Sequence, residues 1–149
     1  MFISPLRNSL LHLTIFALLI CYAPSTVARD VVVRQSIDEA MKTLEAQSYT
    51  GVQFFFGDQG YGEIKKRFGS YESKRTTNAF GKTDQESCQW AFLSGIKSLY
   101  QRALSEGGNA VISIQSITTG ESVSSETEFV CRAGNVVSKV YLKGEVVLL

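Results

Sequence analysis

Two helices stand out in the pattern of apolar and polar positions. Ser36-Ile37-Asp38-Glu39 has the S-x-x-E form of a capping box, and Ile37, Ala40, Met41 and Leu44 follow at helical spacing. That predicts a short helix over roughly 36–47. A second capping box, Thr83-Asp84-Gln85-Glu86, opens a longer pattern that Gly107-Gly108 stops, predicting a helix over about 84–106. Its polar stripe is Ser94, Lys97, Ser98, Gln101 and Ser105. Its apolar stripe is Cys88, Ala91, Phe92, Gly95, Ile96, Leu99 and Ala103, widened by Trp90, Leu93 and Tyr100. A face that wide predicts packing against a sheet.

Strand signals fill the rest. Val52–Phe56 is a β-branched and aromatic run left through the glycine-rich Gly57-Asp58-Gln59-Gly60, and its three phenylalanines must point to both faces of a sheet. The segment from Gly62 to Thr77 reads as its hairpin partner, with Gly69 as a candidate bulge. Ala110–Ile117 alternates in its second half, which predicts Ile112 and Ile114 on one face. Thr119–Ser125 is a polar loop. Thr127–Arg132 and Val136–Leu149 are the last strands, with Val140 and Leu142 inward and Lys139, Tyr141 and Lys143 outward. The expected fold is α+β: one long and one short helix on a mostly antiparallel sheet of about five strands. No linker, low-complexity run or internal repeat divides residues 29–149, so they are expected to form a single domain.

The first 28 residues follow a different pattern. Arg7 precedes an apolar run, Leu10–Ala23, which Pro24 ends, and Thr26-Val27-Ala28 offers small side chains at −3 and −1. This is the layout of a secretory signal peptide cleaved after Ala28, the alternative being a retained anchor. A membrane span needs roughly 20 apolar residues. Cys21 reads as a discarded cysteine of the apolar core, because lipid attachment wants a small residue where Ile20 stands. The expected location is periplasmic or secreted, without stable membrane insertion once the signal is gone.

Removing that segment takes away both prolines, the only histidine (His12) and one of three cysteines. It also removes one of fifteen basic side chains and none of fourteen acidic ones, so the remainder is neutral. A neutral chain has no electrostatic footprint for nucleic acid. A chain without histidine has no Ser-His-Asp triad, no Cys-His pair and no histidine-held metal. The two remaining cysteines, Cys88 and Cys131, suggest a bridge in an exported chain. Such a bridge would close a loop of about 44 residues, for which chain entropy assigns about 4 kcal/mol. A thiol-redox pair, two ligands of a soft metal, or free thiols are the other readings.

Three further motifs invite chemistry. Gly81-Lys82-Thr83 ends like a phosphate-binding loop, but the required first glycine is Thr76, so a turn with an N-cap is expected. Gly57–Gly62 is glycine-rich without leading into a helix, and reads as a turn. Lys65, Lys66, Arg67, Lys74 and Arg75, with Phe68 and Tyr71 between them, form a basic stretch suited to an anionic partner, or simply a solvated hairpin. No nucleophile has a partner base. No catalytic, cofactor-binding or metal-ligating residue is expected, and no cofactor.

Arg75-Thr76-Thr77-Asn78 and the run Gly81–Ala91, continued by Asn109-Ala110-Val111, Phe129–Gly134 and Leu142-Lys143-Gly144, resemble a block found in small exported bacterial proteins. The match covers about 64–146. Members of that group carry the label "excinuclease ATPase subunit", which the residues here contradict: the phosphate loop is incomplete and zinc-binding cysteine pairs are missing. A second similarity is to the folded domain of the Rcs envelope-stress sensor lipoprotein. It rests on Ser87-Cys88-Gln89, Asn109-Ala110-Val111 and Val130-Cys131. It implies a like fold and one bridge, and does not carry over the signalling role. The expectation is an exported, non-enzymatic domain that binds or senses at the cell envelope, its partner an envelope protein or an anionic surface polymer. The rival is a redox or soft-metal protein using Cys88 and Cys131.

Overall fold

The computed structural model describes residues 28–149. The expected signal segment before Ala28, with Cys21, lies outside the described residues. The chain runs β1 (Asp30–Ser36), α1 (Ile37–Met41), α2 (Leu44–Gln47), β2 (Gln53–Phe56), β3 (Lys66–Asn78), α3 (Asp84–Glu106), β4 (Ala110–Ser116), β5 (Val123–Ser124), β6 (Glu128–Gly134) and β7 (Val137–Leu148). The fold is α+β with a mostly antiparallel sheet, as the sequence predicts, but with seven strands among the described residues.

α3 forms where both of its end signals lie. Thr83 accepts the amide of Glu86 at 3.1 Å, and Gly107, in the left-handed region at φ 79°, ends it. The shorter helix starts as expected, with Ser36 accepting the amide of Glu39, but it is two pieces. Thr43 returns to extended backbone and its hydroxyl accepts the amide of Ala46, capping a second start at Leu44, which interrupts the first helix after Met41.

β7 is the centre of the sheet. Its whole length pairs with β3 on one side. On the other side it pairs first with β6, at Ser138 and Lys139, then with β4, from Leu142 to Val147. The sheet therefore forks near Tyr141, one arm continuing through β6 to β1 and the other through β4 to β2. A fork leaves backbone groups without ladder partners, and buried ones must find others. Two buried hydroxyls supply them. Ser116 Oγ accepts the amide of Val130 at 3.0 Å. Thr118 Oγ1 accepts the amide of Tyr141 at 3.0 Å and donates to the carbonyl of Val130 at 2.8 Å.

α3 packs across one face. Phe92 stacks on Phe129 with ring centroids 4.2 Å apart, and Gly95 meets Leu142 where a Cβ would sit 3.1 Å from Cδ1. Cys88 on α3 and Cys131 on β6 are bridged and fully buried in this core. Opposite, Ala110, Ile112 and Val147 form a smaller cluster with Phe55, Ile64 and Leu149.

Three expectations are corrected. β3 is not the hairpin partner of β2. β2 pairs in parallel with β4, because residues 57–65 carry the chain over to the smaller cluster, where Ile64 packs. Ile112 and Ile114 face opposite sides, since a bulge with Ser113 at φ 50° shifts the β4–β7 register between them. Trp90 is 51% exposed rather than part of the buried face. The bulge at Gly69 is present, with φ 131° and a register shift against β7.

Candidate functional site

The basic stretch picked out in the sequence is spread over the molecule by the geometry of β3. Lys65, Lys66 and Arg67 sit beside the end of β7, whereas Lys74 and Arg75 lie opposite Tyr141 and Val140. Lys74 lies seven positions along the strand from Arg67, about 23 Å. Alternation then divides the stretch again. Arg75 faces the helix and donates to Ser98 Oγ at 2.7 Å, while Lys74 faces outward and pairs with Glu72 at 3.0 Å. Arg67 pairs with Glu145 at 2.5 Å, and Lys66 lies 4.7 Å over the Phe68 ring.

Lys74 instead belongs to another group. The outer face of the sheet carries a hollow of about 540 Å³ beside the fork, lined by Glu72, Lys74, Arg132, Tyr141 and Lys143 and walled by the loop from Ile117 to Ser122. An adjoining hollow of about 360 Å³ shares Arg132 and adds Arg29, Asp30 and Lys139. Across both, five cations stand against two carboxylates. Arg132 holds Asp30 through Nε at 3.0 Å, and that guanidinium keeps the Asp30 carboxyl below the usual carboxylate range. Both hollows are open, the larger more polar than apolar and the smaller more apolar, a shape suited to an extended ligand more than to an enclosed small molecule. The loop that walls the larger hollow is tied at Thr118 to β6 and to the central strand β7, so its position is fixed by the sheet.

Lys139, Tyr141 and Lys143 are legible as outward residues from the alternation along β7. Their alignment with Lys74 and Arg132 depends on the registers β3–β7 and β6–β7, which no local pattern encodes.

The other motifs resolve as local structure. In Gly81-Lys82-Thr83, Thr83 is the helix cap and Lys82 Nζ donates to the Asn78 carbonyl at 3.2 Å. After β2, the Gln59 amide donates to the Phe56 carbonyl at 3.1 Å, closing a turn. A scan of protein-family models, a search of curated proteins and a search of solved structures each returned no match.

Proposed function

We propose that this chain is an exported, non-enzymatic binding domain of the cell envelope, and that the outer face of its sheet takes an anionic surface polymer. The observation that carries this reading is the pair of adjoining hollows with Lys74, Lys139, Lys143 and Arg132 on three paired strands. Cations at fixed spacing along an open stripe attract repeating negative charge, and long-range attraction speeds encounter. The buried bridge is compatible with an oxidising compartment. No helix among the described residues is long and apolar enough to cross a membrane. The redox alternative draws no support from Cys88 and Cys131: exchange needs a thiolate to reach a sulfur, and both residues are fully buried.

Dextran sulfate and long-chain polyphosphate, with neutral dextran as control, test the reading. Binding of the two polyanions should weaken with added salt. It should fall at least tenfold in Lys74→Glu/Lys143→Glu and persist when Lys65, Lys66 and Arg67 are reversed. If the triple variant lost binding while the double variant kept it, the ligand face would be the strand end near Gly69. Absence of binding to either polymer sinks the polyanion assignment and turns the search to an envelope protein.

A further inference from the structure

β1 is an edge strand, hydrogen-bonded among the described residues to β6 alone. The amide of Ile37 donates to the Thr127 carbonyl at 2.9 Å, continuing the β1–β6 register by one residue. Hydrogen-bonded pairs alternate in an antiparallel ladder, so Val31, Val33 and Gln35 turn their backbone groups toward β6. Those of Asp30, Val32 and Arg34 point off the sheet. The strand contains no bulge, proline or lysine and leaves Val31 and Val32 42% and 51% exposed. Flat apolar edges of this kind pair with other strands.

We infer that β1 pairs with β1 of a second copy of this chain, antiparallel and centred on Val32. The sequence Asp30-Val31-Val32-Val33-Arg34 is self-complementary in charge about its middle residue. In that register Asp30 stands opposite the partner's Arg34, and Val31 opposite the partner's Val33. Val32 meets itself on the two-fold axis, giving the isologous contact of a closed dimer. The residues directly opposed through their free backbone groups are Asp30, Val32 and Arg34. The register that pairs the charges is therefore also the one that satisfies the edge, with about six backbone hydrogen bonds. Directly opposed ions and β-branched side chains both favour such a pairing. Asp30 already accepts from Arg132 on the same face, so the partner's arginine completes a carboxylate held between two guanidiniums. A two-fold axis perpendicular to the sheet puts both helices on one side and both outer faces on the other.

Sedimentation of the protein expressed from its complete coding sequence, over a concentration series into the high-micromolar range, reads the association. The expected result is a mass rising toward two chains, because an interface this small is weak. Arg34→Glu sets two carboxylates opposite one another and should leave a single chain at every concentration. So should Val32→Pro, which removes an amide pointing away from β6. Should the proline variant fail to fold by circular dichroism, Arg34→Glu carries the test alone, since it alters no backbone group. Mixing Arg34→Glu with Asp30→Lys should restore a two-chain species that neither forms by itself. A single chain throughout the wild-type series overturns the inference. So does a dimer that survives both Arg34→Glu and Val32→Pro, because its contact would then lie elsewhere.

Discussion

β3 and β1 are both edges of one sheet, and they are finished differently. β3 is thirteen residues long, is broken by the Gly69 bulge, and carries Lys66, Arg67, Glu72, Lys74 and Arg75 along its length. A bulge and alternating charges prevent a neighbouring strand from docking. β1 is seven residues long, unbulged, and has three successive valines between one acid and one base. The long edge is built to stay unpaired. The short one has neither device, and its one acid and one base are placed to match those of its own copy in the pairing inferred above.

Breaking the attachment of β1 should have the largest effect. β1 is held by β6, and β6 is tied to α3 by the Cys88–Cys131 bridge. Cys88→Ser and Cys131→Ser are each expected to cost about 4 kcal/mol, and the double variant to cost little more. In urea unfolding, strongly additive losses would mean that the two cysteines act separately. Amide exchange in either variant should quicken in β6 and β1 before it quickens in β3.

The second experiment targets the other edge. Gly69→Ala forces a side chain onto backbone at φ 131°, which should cost about 1–3 kcal/mol. The unfolding midpoint should fall with an unchanged denaturant slope. A cost near zero would mean that the bulge relocates.

The smallest effect is a pH response confined to the start of β1. Arg29 Nη1 donates to Asp84 Oδ1 at 2.8 Å, at the N-terminus of α3, and holds that carboxyl below the usual carboxylate range. A carboxyl whose pKa is lower in the folded chain contributes stability above its unfolded pKa. That contribution is lost as the pH falls through the ordinary carboxylate range toward the folded value. Asp30, lowered by Arg132, acts in the same direction. Relative to the intrinsic exchange rate at each pH, protection of the Val31 and Val33 amides, which face β6, should therefore fall on acidification, while protection in β3 should follow only weakly. Asp84→Asn should remove part of that fall. A fall unchanged in Asp84→Asn would place the response at Asp30 alone.

What the sequence made legible divides along the same line between local and distant structure. α3 was readable to the residue at its start because Thr83, Glu86 and Gly107 act on their own neighbours. Val140 and Leu142 were readable because alternation persists along β7. β1 gave no period to read: three valines in a row show neither alternation nor helical spacing, and a capping box follows at once. Phe54 and Ile64 flank a glycine-rich turn and therefore looked like a hairpin, yet β2 takes its partner from beyond α3. At Ser113 a non-glycine residue adopts positive φ, so nothing in its type announced the bulge that separates Ile112 from Ile114. The outer-face hollows were hidden for the same reason. Lys74, Arg132 and Lys143 become neighbours only after three strands have chosen their registers.

The position of β7 governs the order in which the chain can assemble. Among the described strands it comes last in the chain, yet it is the strand to which β3, β4 and β6 all attach, while β1 and β2, which precede the others, end at the far tips of the two arms. During synthesis the early strands have no surface to join, and helix α3 has no floor to rest on. The sheet closes only once β7 is in place, and until then β3, β4 and β6 lack the strand that joins them.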